Sequence, residues 1–158
     1  MYPRVAAWAI IGRGALKRGC FAQGPGQFLV ETDGAESSYR FPGGGVEWGE
    51  TAARAIEREM REEYDLKVKV GPLAAVAENM LRYQGREYHL LTLLHWCEAE
   101  GARDLPDELE HNEKPGTRLV WRTLAELENR TVGPEGILQV LREESDQVTH
   151  LVIDGLKR

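Results

Sequence analysis

"GGGVEWGETAARAIEREMREE", residues 43–63, sets a glycine run ahead of a segment that closes on Glu59, Glu62 and Glu63. Ala52, Ala55, Ile56 and Met60 recur at spacings of three and four, which predicts a helix over Glu50 to Tyr64. At about 100° per residue, Glu62 and Glu63 lie within about 60° of Glu59, on the side of the small apolar residues. Arg54, Glu57, Arg58 and Arg61 fall on the opposite, solvent-facing side by the same count. Acids on an outer face would be ordinary solvated charge. Acids in the inward stripe must lose water, which costs several kcal/mol unless they are paired. A divalent cation resolves that conflict, because Mg²⁺ and Mn²⁺ prefer oxygen ligands and carboxylates at this spacing can converge on them. The glycines allow close backbone approach, so a carbonyl in the run can serve as a further oxygen ligand. Their N–H groups and the helix N-terminus favour phosphate. Together these features point to metal-assisted attack of water on a phosphoanhydride.

Working outward, Val5 to Ile11 and Gln27 to Glu31 read as strands, with the glycine-rich stretch Gly12 to Gly26 between them as a loop. Tyr39 to Phe41 is a short extended piece ahead of Pro42. Lys67 to Asn79 and Arg86 to Glu98 read as strands joined by a turn at Gln84-Gly85. Asp104 to Gly116 is polar and acidic, hence a loop. Thr117 to Arg122 is a strand, and Pro134 to Glu144 is a helix with proline at its first position. Val148 to Ile153 reads as a last strand. This mixed order predicts an α/β (α+β) sandwich in which helices cover a mixed sheet.

The chain has 158 residues, the size of a single domain over 1–158, with 42% hydrophobic and 29% charged residues. No segment reaches the roughly 18 apolar residues of a membrane span, so no membrane partner is expected. The net charge of −6 argues against a nucleic-acid polymer as the main partner and leaves a small phosphate ligand open if a cation mediates. Cys20 and Cys97 have neither metal nor disulfide spacing, the pattern of reduced thiols in a cytoplasmic protein.

The stretch resembles the signature of the Nudix hydrolase family. That signature is a glycine, five residues, a glutamate, seven residues, then Arg-Glu-apolar-x-Glu-Glu-x-Gly-apolar. Here it runs from Gly44 through Glu50 to Arg58, Glu59, Met60, Glu62, Glu63 and Leu66. The one departure is Asp65 in place of the final glycine. A glycine there would end the helix in a left-handed conformation, which Asp tolerates at a cost of about 1 kcal/mol. "FPGG" before the run, "WRTLAEL" at 121–127 and the proline-opened helix extend the likeness more loosely over the chain.

The resemblance implies an α/β/α sandwich and a pyrophosphohydrolase acting on a nucleoside diphosphate linked to another group. The substrate classes are nucleoside di- or triphosphates, dinucleoside polyphosphates, nucleotide sugars and ADP-ribose. It implies Mg²⁺ as cofactor, with Mn²⁺ as the alternative. Glu59, Glu62 and Glu63 would be metal ligands, one of them also serving as the base, with the main-chain carbonyl of Gly43 as a further ligand. Glu50 would pair with Arg58 and hold the loop against the helix. Members of the family often form dimers, so a homodimer is a partner to test.

Outside the signature, the loop before "RLVWR" offers Glu108, Glu110 and Glu113 as a base or extra ligand, with Glu113 closest to the expected place. Tyr39, Trp48, Arg82 and Tyr83 are candidates for handling a nucleoside, since bases stack on aromatic faces. Arg40 and Arg86 are candidate phosphate contacts. Two rival functions share the fold. A prenyl-diphosphate isomerase would use other acid–base residues, and a nucleotide-sensing domain without activity would be expected to have lost signature acids.

Overall fold

The computed structural model describes residues 2–14, 26–143 and 146–157. Cys20 and most of the 12–26 loop lie outside the described residues. The strands are β1 (Arg4–Arg13), β2 (Gln27–Thr32), β3 (Tyr39–Arg40), β4 (Gly43–Gly45), β5 (Val68–Tyr83), β6 (Arg86–Ala99), β7 (Glu108–Glu110), β8 (Arg118–Thr123), β9 (Val132–Gly133) and β10 (Thr149–Asp154). The helices are α1 (Ala52–Tyr64), α2 (Leu124–Leu127) and α3 (Ile137–Arg142).

β1 is the spine of the mixed sheet. Over Arg4 to Ile11 it runs parallel to β6, and at Gly12 and Arg13 it turns to pair antiparallel with β2. β5 and β6 form a long antiparallel hairpin, closed at Gln84 and Gly85, which both have positive φ. That pair of angles is what a two-residue hairpin turn of matching twist requires. β10 lies parallel on the outer side of β5, and β8 joins β2 to β7.

Strand alternation divides the core between two faces. Ala7, Ala9, Ile11, Leu29, Leu119 and Trp121 pack against Ala55, Ile56, Met60 and Tyr64 of α1. Ile10, Phe28, Val30, Leu94 and Val120 pack on the other face against Leu127, Ile137 and Val140 of α2 and α3. The result is the expected mixed sheet between helices. Among the described residues no helix is long and apolar enough to cross a membrane.

Several details differ from the sequence reading. The predicted 104–116 loop contains β7, whose pairing with β8 only tertiary structure supplies. Pro134 does not open α3: it follows a cis peptide bond, and the helix begins at Ile137 behind Gly136 in a left-handed conformation. α1 starts at Ala52, two residues later than predicted, because the Thr51 side chain accepts the Arg54 N–H and caps it there.

Candidate active site

The glycine run becomes β4, laid antiparallel on β1 so that Gly43 faces Trp8 and Gly45 faces Ala6. Gly43 has φ of 149°, and a Cβ there would lie 2.1 Å from the Ala7 carbonyl oxygen. Only glycine lets β4 sit this close. A Cβ on Gly44 would lie 2.4 Å from Cδ of Glu59, so the missing side chain is the space that the Glu59 carboxylate occupies.

From β4 the chain makes a turn whose ends are tied twice. Glu50 N–H donates to Glu47 O at 3.1 Å, and Glu47 N–H donates to Glu50 Oε1 at 2.8 Å. Trp48 and Gly49 form its tip, Gly49 with φ of 82°. Trp48 is fully exposed.

Arg58 departs from the wheel's assignment. Its Cα sits on the outer side of α1, but the long side chain curls back over the turn, leaving it 24% exposed. Nη2 donates to Glu50 Oε1 at 2.7 Å and to Gly45 O at 3.0 Å, and Nη1 donates to Glu59 Oε1 at 2.8 Å. The pair between Glu50 and Arg58 is therefore formed. Hydrogen bonding from Arg58, together with the Glu47 N–H, holds the Glu50 carboxyl down at about 2, and the same bond raises the Arg58 guanidinium.

The three signature acids are not equivalent. Glu59 and Glu63 are turned inward, their side chains 15% and 14% exposed, whereas Glu62 stands at the rim at 55%. Beneath Glu63 lies a second buried acid, Glu31 of β2, 3% exposed. Glu31 Oε1 accepts the Tyr64 hydroxyl, and its Oε2 accepts Arg40 at 2.5 Å. Burial pushes the Glu63 carboxyl up, and the like charges of Glu31 and Glu59 add to the effect. Burial and the bond to Glu31 likewise raise the Tyr64 hydroxyl.

This crowding is a physical test of the metal reading, and the residues fit. Two inward carboxylates with a third at the rim form an all-oxygen donor set. Arg58, shared among Glu50, Glu59 and Glu62, does not offset all of its negative charge, and a hard divalent cation suits that environment. Glu59, Glu62 and Glu63 would hold such an ion, and the Gly43 carbonyl on β4 would be the further ligand.

Residues 111–114 fold onto the last turn of α1. Asn112 N–H donates to Glu63 O at 2.8 Å, and its side-chain amide donates to Glu62 O at 2.9 Å. The predicted exception at the helix end is present: Asp65 has φ of 53° and ψ of 27°, left-handed, and its N–H bonds Arg61 O. Asn112 Nδ2 also reaches Asp65 Oδ2 at 3.4 Å. The clamp brings exposed Glu113 to the helix end that carries Glu62 and Glu63. Glu108 and Glu110 sit on β7 instead.

Arg40 also reaches the site, through Glu31. Tyr83, Arg82 and Arg86 do not. Arg86, opposite Tyr83 at the hairpin tip, is seven positions along β6 from Leu93, the partner of Ala7 beside Gly44. At about 3.3 Å per residue that is ~23 Å along the strand. β5 runs to Tyr83 rather than stopping near Asn79, and this carries the turn away from the acids. His95 serves the fold, with Nδ1 2.9 Å from Gly71 O.

Sequence reasoning missed Glu31, Tyr64 and His111. Glu31 was legible by parity, since it shares a strand face with Leu29, which packs under α1. Nothing local marks Tyr64 or His111, whose roles depend on the approach of distant segments.

The match to the NUDIX domain covers residues 13–143, and the chain belongs to the Nudix family. It is 36% identical over 64 residues to an RNA pyrophosphohydrolase of Teredinibacter turnerae, a match spanning 40% of this chain and 37% of that protein. The chain thus aligns with little more than a third of that curated relative. Among solved structures it resembles a MutT NUDIX hydrolase from Burkholderia pseudomallei, with a TM-score of 0.63, 22% identity, and coverage of 92% of this chain and 100% of that one. It also resembles an ADP-ribose pyrophosphatase from Streptococcus suis, with a TM-score of 0.58, 15% identity, and coverage of 94% and 99%. At these identities the likeness to both structures is one of fold.

Proposed function

We propose that this protein is a divalent-metal-dependent pyrophosphohydrolase that cleaves a phosphoanhydride in a nucleoside diphosphate linked to another group. The observation that carries the reading is that Glu59, packed under Gly44, and its neighbour Glu63 are both turned inward on one face of α1, with Glu62 at the rim. Glu59, Glu62 and Glu63 bind Mg²⁺, or Mn²⁺ in its place. The ion's chemistry, when bound, is neutralisation of charge on the diphosphate and acidification of the attacking water. Water forms the new P–O bond, the bridging P–O bond breaks, and a carboxylate takes the water's proton. Glu59 and Glu113 are the candidates for that base. Arg58 keeps Glu59 in place under the glycine turn. Arg40, half-exposed and anchored on Glu31, offers its guanidinium to phosphate oxygens. Trp48, held out on a tied turn, offers a stacking face to a nucleobase.

The relative's name, RNA pyrophosphohydrolase, adds RNA to the substrate classes. The charge argument bears on polymer backbone binding and does not weigh against a triphosphate end. The signature acids are all present, which favours the enzyme over a nucleotide sensor. A hydrolysis screen with Mg²⁺ tests the proposal, over nucleoside triphosphates, dinucleoside polyphosphates, nucleotide sugars, ADP-ribose and 5′-triphosphate RNA. Phosphorus NMR should show cleaved phosphate products from at least one class. Nucleotide binding without cleavage at saturating Mg²⁺ would favour the sensor, and isomerised prenyl diphosphate without phosphate release would favour the isomerase.

A further inference from the structure

We infer that His111 is a positioning residue for Glu63: its Nε2–H faces the Glu63 carboxylate at 3.4 Å and sets that carboxylate's orientation toward the ion, and the imidazole does not itself bind the ion. The inference rests on the metal-dependent reading above.

Glu31, Glu63 and His111 each offer an atom within 4.8 Å of the others, a spacing that suits a three-ligand cation site. Donor and acceptor bookkeeping points elsewhere. His111 Nδ1 accepts two backbone N–H groups, from Glu113 at 3.0 Å and Lys114 at 3.1 Å. A nitrogen so engaged cannot carry the proton of a neutral ring, so the proton is on Nε2. That atom is a donor, with no lone pair for a metal. It faces Glu63 Oε2 at 3.4 Å and has no hydrogen bond of ordinary geometry among the described residues. The ring is wholly buried. Glu31 is no freer, since its two oxygens take Tyr64 and Arg40.

The mounting of the ring is rigid. Tyr64 packs edge-on against it, with ring centroids 5.1 Å apart. Its neighbour Asn112 is bonded to the carbonyls of Glu62 and Glu63. The loop that fixes the tautomer is therefore fastened to the helix turn that carries the ligands. A carboxylate oriented by a buried, rigidly mounted N–H presents its remaining lone pairs in a set direction, and groups in this role are commonly worth 10- to 100-fold in metal affinity.

Mn²⁺ binding to the full chain without substrate tests this, by calorimetry and electron paramagnetic resonance. His111→Asn keeps an acceptor for the Glu113 and Lys114 N–H groups and loses the donor to Glu63. His111→Gln extends an amide N–H toward Glu63. Mn²⁺ affinity is expected to fall by about 10- to 100-fold in His111→Asn and to recover most of that loss in His111→Gln. The substrate KM at saturating Mn²⁺ should change far less than the metal constant. Wild-type protein should show no nitrogen coupling to bound Mn²⁺. Nitrogen coupling assigned to an imidazole would overturn the inference even if His111→Asn does not fold. So would wild-type affinity in a folded His111→Asn. Glu63→Gln separates the two levels. If it binds Mn²⁺ as wild type does, the ligand role of Glu63 falls and this inference falls with it. If it loses Mn²⁺ while His111→Asn does not, only the inference about His111 falls.

Discussion

Arg58 grips Glu50 at two points, Nη2 to Oε1 at 2.7 Å and Nε to Oε2 at 3.1 Å. The same guanidinium reaches Glu59 at 2.8 Å. Glu50 thus keeps Arg58 anchored on the turn and limits how strongly that cation competes for a metal ligand. Glu50→Gln removes the charge and leaves the side chain's shape. Arg58 should then pair more closely with Glu59, and Mn²⁺ affinity should drop by about 10- to 100-fold. Calorimetric titration checks this, and an unchanged metal constant would contradict it.

Glu63 sets a pH dependence. In the ion-free chain burial, with Glu31 and Glu59 beside it, pushes its carboxyl up to about 8, against an ordinary 4.5. The folded chain therefore keeps a proton that the unfolded chain releases. This group's contribution to stability is fully present below the unfolded value and is lost as pH rises through the folded one. Binding an ion requires the ionised carboxylate, so metal uptake should release a proton below about pH 8 and tighten as pH rises toward it. Thermal melts of chelator-treated protein should show this fall in Tm with rising pH, and Glu63→Gln should flatten it. Mg²⁺ affinity that does not vary between about pH 6 and 8 would count against the assignment.

Gly44→Ala puts a methyl where the Glu59 carboxylate sits, 2.4 Å from Cδ. The clash is with the end of a flexible side chain, so the fold should survive while Glu59 is displaced. Metal affinity and turnover should fall together, with the far-UV circular dichroism spectrum preserved. Wild-type turnover in this variant would show that Glu59 has room to spare.

Much of this was legible in the sequence, for identifiable reasons. The period of α1 and the inward side for Glu59 and Glu63 follow from local spacing, and the left-handed stop at Asp65 follows from the resemblance, whose signature has a glycine there. The exposure of Glu62 does not, because it depends on where the helix meets the sheet edge. Arg58 was misplaced because a wheel tracks Cα positions and ignores a side chain long enough to fold back. His111 and Tyr64 were invisible because their partners lie about 50 and 30 residues away, across contacts that only the closed sheet creates.

Asp65 itself yields a small test. Its φ of 53° costs an L-residue strain that glycine does not bear. Asp65→Gly should change stability by no more than about 1 kcal/mol in either direction, since relief of strain opposes lost chain stiffness and the weak Asn112 contact. Asp65→Val should destabilise by about 1–2 kcal/mol. Chemical denaturation of the two variants checks both.

Trp48 carries the specificity prediction. It is fully exposed on a tied turn, so Trp48→Ala should leave Tm and metal affinity unchanged. Loss of a stacked base is worth about 1–3 kcal/mol, which should appear as a raised KM for the preferred nucleotide. An unchanged KM would remove Trp48 from the substrate site.

The central claim is that the carboxylates of α1 hold the ion that drives phosphoanhydride cleavage. Its most direct test is steady-state turnover of wild-type, Glu62→Gln and Glu63→Gln protein on the best substrate of the screen at saturating Mg²⁺. Both substitutions should lower turnover by about 10²-fold or more, with thermal melts showing that each variant is folded. Full activity in both would contradict the account.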